Sequence, residues 1–311
     1  MSESNQNLRY IDFFDLYPDE PVLSGVARYR QKMLISSNNN LFEMCFNRKK
    51  PTLRLDFPKC LGILVASLAP GHWLTESQIL NNHTLFPILS PWLQPHKRGK
   101  LRDTILEEPK LRPYSLTRDN TLVDEEQYLK YCSLCVTEDR SSFGECYWHL
   151  QHQIINNEVC AKHFVHLKSS KLTLKAMLKH LITLEEIDID FSALAVDSSD
   201  HKSNWFLQTA QDINWLFTQQ NLHPASGNIF NQYQLLLSKH PHFKETYFGN
   251  FNRLKDILKD QLSSSNFILW SSKHILRQFP IYADYHNAMH HLMFLRLIEC
   301  PLPIFFKLSY T

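Results

Sequence analysis

Two short Cys/His pairs constrain this chain more than any other feature. Cys132-Ser133-Leu134-Cys135 is a C-x-x-C knuckle, and Cys160-Ala161-Lys162-His163, after an interval of 24 residues, is a C-x-x-H knuckle. A tetrahedral zinc ion takes four N or S ligands, and each knuckle can set two of them about 4 Å apart on one ion. Whatever folds between them must then return its ends to a single point. Four protein ligands leave no open coordination position, so an ion held this way is structural and not catalytic. The other use of the same residues, reduced core cysteines beside a surface histidine, stays open at this point. Seven cysteines, an odd number, argue against a disulfide framework. In a reducing compartment metal binding is the better use. Cys146, His149, His152 and His166 compete for the site but break the paired spacing. Cys146 reads as a free buried thiol, and His149 and His152 as candidates to brace a ligand from behind.

Composition serves mainly to exclude. With 311 residues and 43% hydrophobic content the chain suits about two domains with buried cores. Only 7 glycines occur, and neither G-x-G-x-x-G nor G-x-x-x-x-G-K-[ST] is present, so nucleotide binding is not expected. Net charge is only +2, from 33 basic and 31 acidic residues. A protein gripping DNA with its whole surface is usually more basic, so nucleic-acid contact falls to local patches or to partners. The start, with no basic region leading into an apolar run, does not read as a signal peptide. No stretch is apolar for long enough to span a bilayer, and the protein is expected to be cytosolic, with no membrane partner. No H-x-E precedes Cys132, as a zinc deaminase requires. The nearest approach to H-E-x-x-H is His286-Asn287-Ala288-Met289-His290, which lacks the glutamate and reads as packing or capping. A zinc hydrolase would also need the open position that a closed site denies it.

Periodicity predicts a mainly α fold: a helical N-terminal domain over 1–120 with helix-turn-helix character, a central zinc finger with a following basic helix over 121–183, and a helical C-terminal domain over 200–311. Residues 18–33 predict an amphipathic helix, with Pro21 in its first turn, Asp19 and Glu20 at its positive end, and Val22, Leu23, Val26, Ala27 and Met33 on one side. Residues 35–42 read as a polar loop leading into a short helix. A helix over 61–69 breaks at Pro70-Gly71, and Thr75 with Gln78 forms a capping box for the next. Two helices around a tight glycine-containing turn fit a helix-turn-helix, and equally an ordinary helical hairpin. Residues 94–118, with prolines at 95, 109 and 113, read as an irregular basic linker carrying Lys97, Arg98, Lys100, Arg102, Lys110, Arg112 and Arg118. Were 162–179 helical, Lys168, Lys171, Lys175 and Lys179 would share a face. An acidic swing over 185–200 suggests a boundary. Helices are expected over 204–220, with Trp205, Phe206, Thr209, Ile213, Leu216 and Phe217 on one side, and over 229–239 and 251–262. A last helix is expected to end before Cys300-Pro301.

Several of these residues together resemble a known family. Tyr131-Cys132-Ser133-Leu134-Cys135, then Phe143-Gly144-Glu145-Cys146-Tyr147-Trp148-His149, then Val159-Cys160-Ala161-Lys162-His163 with Leu167 are similar to the TniQ/TnsD zinc finger. That pattern runs Y-C-P-x-C, G-x-x-Y/F-W, C-P-x-H-G-x-x-L. Pro18-Asp19-Glu20 with Leu23-Ser24 and Ala27-Arg28 resembles the family's opening helix. His83-Thr84-Leu85-Phe86-Pro87 is similar to a motif on its TnsD side, and His286 to His290 resembles its terminal helix. Ser133 and Ala161 stand where the family has proline, and Phe164 where it has glycine. The C-terminal part is shorter than TnsD-type selectors usually carry.

The resemblance implies a non-catalytic selector of insertion sites for multi-protein transposons. Such proteins bind double-stranded DNA, or a targeting complex on DNA, and recruit a TnsC-like AAA+ ATPase regulator. It implies one structural zinc on Cys132, Cys135, Cys160 and His163, and no catalytic residue. It does not fix the DNA contacts; Lys97, Arg98, Lys100, Arg102, Lys171 and Lys175 are candidates by charge alone. Two mechanisms follow. In one the chain reads duplex DNA itself. In the other it is an adaptor on an RNA-guided CRISPR effector complex, and base pairing supplies the specificity. Low net charge and the short C-terminal part favour the adaptor; the 83–87 motif favours direct binding, the preferred reading.

Overall fold

The computed structural model describes residues 10–13, 15–49, 51, 54–107, 122–219, 221–225, 229–239 and 287–308. Among them are twelve α-helices and one two-stranded sheet, with the Cys/His cluster in the middle of the chain, so the fold is mainly α as expected. The expected helix at 251–262, His286, and the basic residues Lys110, Arg112 and Arg118 lie outside the described residues.

Helix α1 is Val22–Lys32. Pro21 sits outside it as the N-cap, and no acid occupies its first turn. Asp19 and Glu20, expected to face the helix dipole, are spent elsewhere: Glu20 clamps Arg28 and Asp19 meets His149. Val22, Leu23, Val26 and Ala27 are buried as expected, but Met33 falls beyond the last turn and is exposed. At Gly25 a Cβ would stand 2.0 Å from the Leu16 Cδ2 methyl, so a side chain there would force that buried leucine to move. Helix α2, Asn38–Phe46, takes up most of the expected polar loop, because Ser37 caps it by accepting from Asn40 N–H at 3.3 Å.

Helix α3, Leu61–Ala66, ends earlier than expected because Leu68 leaves to pair with Ile11. Helix α4, Glu76–Asn82, carries the expected Thr75/Gln78 capping box. The connection, residues 67–75, is longer than the three- or four-residue turn of a helix-turn-helix. After α5, Phe86–Leu89, comes α6, Pro95–Leu106. That helix corrects the linker reading of the stretch from 94: Pro95 stands at the first helical position, where its missing N–H costs nothing.

Strand β1, Tyr128–Tyr131, pairs antiparallel with β2, Lys168–Thr173, through an irregular register between Tyr128 and Lys130. Helix α7 is Ser133–Phe143 and α8 is Leu174–His180. The expected lysine face therefore does not form, since Lys168 and Lys171 are on β2 and Lys175 and Lys179 on α8. The strand forms where edge pairing with β1 is available, which periodicity within one segment cannot register.

The C-terminal helices are α9, His201–Thr218; α10, Ile229–Lys239; α11, Ala288–Leu297; and α12, Leu302–Lys307. Helix α12 follows the expected last helix, begun by Pro301 at its N-cap. Phe206, Thr209, Ile213 and Leu216 of α9 are buried, with Trp205 and Phe217 at the margin. One continuous core runs from Ile11 to Phe306. Trp92, after α5, stacks on His291 of α11 at 4.4 Å, and the Tyr233 hydroxyl of α10 lies 2.8 Å from Nδ1 of that ring. No helix among the described residues is long and apolar enough to cross a membrane.

Candidate metal centre

The first knuckle is built by a helix start. Cys132 is the N-cap of α7 and Cys135 lies one turn inside, so both sulfurs sit at the positive end of that helix, where thiolates are favoured. The second knuckle is a tight turn closed by a bridge between Val159 and His166. Within it Phe164 N–H donates to the Cys160 carbonyl at 2.9 Å, and Cys160 N–H to the Val165 carbonyl at 2.9 Å. Gln153 locks the intervening segment to β1, accepting from Lys130 N–H at 2.9 Å and donating to the Lys130 and His149 carbonyls.

The result brings all four expected ligands together. Cys132, Cys135, Cys160 and His163 place their ligand atoms within 4.8 Å of one another. His163 Nδ1 lies 3.5, 3.3 and 3.7 Å from the three sulfurs, and Cys135 Sγ lies 3.7 Å from Cys160 Sγ. Tetrahedral zinc with Zn–S near 2.3 Å separates its sulfurs by about 3.7 Å, the spacing of Cys135 and Cys160, so the donor set suits one such ion. Without a cation these thiols compete for protons. Hydrogen bonds from Cys135 and Cys160 hold Cys132 far below the usual thiol range and push Cys135 far above it. Three sulfurs so close favour full ionisation only around a positive charge. His163 turns Nε2 to Glu138 at 3.2 Å, a carboxylate behind a ligand histidine that fixes ring orientation. The four residues can hold one metal ion.

Two of the three departures from the expected knuckle pattern have visible consequences. Ser133 donates to the Ser192 carbonyl at 3.1 Å, a bond proline could not supply through its side chain. Ser192 belongs to the acidic stretch, which lies along the second knuckle: His166 N–H reaches the Leu194 carbonyl and Val196 N–H the Phe164 carbonyl, both at 2.9 Å. Phe164 has φ +53°, a left-handed conformation that costs a phenylalanine but not the glycine expected there.

The competing residues lie apart from the cluster. Cys146 is fully buried in the core, and burial pushes its thiol well up. His149 braces no ligand. It bridges two carboxylates, Asp139 at 2.9 Å and Asp19 at 3.5 Å. Burial lowers its pKa, but the two acids more than reverse this and raise it to about 9. Sequence reasoning missed this bridge. It also missed a second one, in which Arg28 forks onto Glu20 at 2.8 Å and reaches Glu145 at 2.7 Å, Glu145 also taking Tyr17 and Lys32. The first ties the segment before α1 to the finger, and the second ties α1 itself to it. The only local signal was the acidic pair at 19–20.

The 83–87 motif is buried throughout. His83 Nδ1 meets the Glu20 carbonyl at 2.8 Å, and burial lowers its pKa to about 4. Thr84 Oγ donates to the Leu80 carbonyl and accepts from Phe86 N–H, turning the chain into α5. The candidate DNA contacts are dispersed. Lys97 and Arg98 are half-buried on α6; Arg98 reaches the Leu93 carbonyl at 3.4 Å, and burial lowers its pKa. Lys100 is exposed, and Arg102 is paired with Glu76 at 3.2 Å. Lys171 is exposed on β2 with φ +60°, and Lys175 pairs with Glu126 at 2.8 Å.

Fold and site together define a helical protein organised around a closed Cys3His knuckle pair. Residues 13–167 match the TniQ family, and the chain carries a domain of that family. The match ends just past the second knuckle and includes all four Cys/His residues of the cluster, while residues 286–290 lie beyond it. The chain is also similar to "Transposon Tn7 transposition protein TnsD" of Escherichia coli, at 24% identity over 148 residues. That alignment covers 47% of this chain and 29% of the TnsD protein, so the chain spans under a third of that relative's length.

Proposed function

We propose that this chain selects the target site of a multi-component DNA transposon, binding target duplex and recruiting a TnsC-like AAA+ ATPase regulator. The observation that carries this is the TniQ match over 13–167, reinforced by likeness to a Tn7 transposition protein. The Cys3His geometry supports one structural zinc, which would supply folding free energy to the finger and perform no chemistry. The protein is read as non-catalytic. Lys97, Lys100, Arg102, Lys171 and Lys175 are proposed phosphate contacts, with Arg98 bracing α6 against the Leu93 carbonyl. The 83–87 motif acts by shaping the N-terminal helices and does not touch DNA.

A gel shift of the purified chain on candidate-site and random duplex, at two salt concentrations, tests this. Tighter binding to the candidate site that weakens with salt supports direct selection. A specific observation favours the second reading, an adaptor on an RNA-guided CRISPR effector: Arg102 and Lys175 are already paired with acids, and net charge is only +2. A chain that shifts neither duplex even at low salt, yet co-purifies with such an effector, is the adaptor.

A further inference from the structure

The segment between α2 and α3 carries positive charge that the fold does not answer. Residues 48–59 hold Arg48, Lys49, Lys50, Arg54 and Lys59 against a single acid, Asp56. Asp56 is buried and already engaged: Arg54 donates to its two oxygens at 2.8 and 2.6 Å, and Phe57 N–H donates to Oδ1 at 2.8 Å. The Asp56 carbonyl accepts from Leu85 N–H at 3.0 Å, which ties this loop to the buried 83–87 motif.

Lys59 is the outlier on that loop. It is only 7% exposed, and it makes no hydrogen bond or ion pair among the described residues. Its Nζ is nevertheless not sealed from solvent, so the stem is buried and the ammonium reaches the surface. Burial lowers the Lys59 pKa, and the Arg54 guanidinium adds repulsion. Burial pushes the neighbouring Cys60 thiol up, while Arg48 and Lys59 both act to lower it, so the two cations converge on that residue. Lys49, next to Arg48, is exposed and makes no hydrogen bond or ion pair among the described residues. The other acid felt here is Glu125, which acts on Arg54. A partly desolvated ammonium without a counter-ion costs the folded state free energy. An apolar side chain of similar length would bury the same stem without that cost, so the ammonium is explained by an anion from outside the chain.

We propose that Lys59, with Arg48 and Lys49 beside it, grips the phosphate backbone of duplex DNA. A lone carboxylate meets one cation or one arginine fork, whereas a nucleic-acid strand sets a charge about every 3.4 Å, so neighbouring cations on one loop can each meet a phosphate. Arg54 is a positioning residue, since its fork onto Asp56 holds the loop in shape. Backbone contacts of this kind fix the register of the protein on the duplex and carry no sequence information. The inference rests on the proposal that the chain binds duplex, and adds a contact site separate from the basic residues of α6, β2 and α8.

The test measures Kd of the full chain for target and random duplex by fluorescence anisotropy across a salt series. Lys59→Met keeps the buried stem and removes the ammonium. It should weaken binding to both duplexes alike, by about tenfold at low salt, and reduce the salt slope by about 1. The same substitution should raise the thermal midpoint of the free chain, by about 2 °C. A lysine with only a structural role would lower it. Lys49→Gln, at an exposed position, should weaken binding with the midpoint unchanged. Lys239→Gln, exposed at the end of α10, removes the same charge and should leave binding unchanged. Unchanged binding in Lys59→Met or Lys49→Gln, a lowered midpoint in Lys59→Met, or an equal loss in Lys239→Gln would overturn this inference and leave the duplex-binding proposal standing. A wild-type chain that binds neither duplex even at low salt would overturn both.

Discussion

His163 touches three sulfurs through one nitrogen and Glu138 through the other, so losing any ligand strands the rest. Cys132→Ser or His163→Ala is expected to drop zinc from one per chain to near zero and to loosen the segment between the knuckles. Cys146→Ser should leave the metal in place. Elemental analysis of the three purified variants checks both. His149 gives a pH signature. Its folded pKa, about 9, lies above its unfolded value near 6.5. Its stabilisation is therefore fully present below pH about 6.5 and is lost as pH rises towards and through 9, on the order of 3 kcal/mol in all. His149→Gln should flatten that alkaline decline in denaturant titrations, and an unchanged slope would contradict the bridge. The Cys/His cluster was legible because each knuckle is local in sequence. Asp19–His149 and Arg28–Glu145 were not, because their partners lie more than a hundred residues apart and no spacing rule joins them.

Elements were legible where signals were local. The Thr75/Gln78 box marked the start of α4 correctly. Pro95 was misread because a proline that breaks a helix interior also suits its first position, and only the following turns distinguish the two. The lysine run was misread because β2 exists through its pairing with β1. At the second knuckle a main-chain conformation suited to glycine is imposed on Phe164. Phe164→Gly removes a left-handed cost of about 1–2 kcal/mol but adds unfolded-state entropy, leaving a net gain of up to about 1 kcal/mol. Thermal unfolding of the metal-loaded proteins measures it; a loss of stability would mean the ring contributes more than its conformation costs.

At the scale of the molecule, ion pairs join α1 and the segment before it to the finger, and Trp92 joins the N-terminal helices to α10 and α11 through His291. The mainly α class and the central finger were legible from periodicity and spacing; this joining was not, since it depends on contacts between distant segments. Lys171 and Lys175 are both exposed, Lys175 in a pair with Glu126. Neutralising both should weaken binding to target and random duplex alike and reduce the salt slope by about 1–2. Loss on the target alone would identify them as base readers, and no change would leave them merely solvated.

Balanced charge means that useful affinity should come from several modest contacts acting together. If the chain works by recruitment, target DNA and the ATP-bound AAA+ partner must each raise the other's affinity by the same factor. The direct test is the Kd of the chain for target duplex, measured by fluorescence anisotropy with and without the ATP-loaded partner. A Kd lowered by about five- to a hundredfold is the predicted result; an equal Kd in both conditions would contradict recruitment.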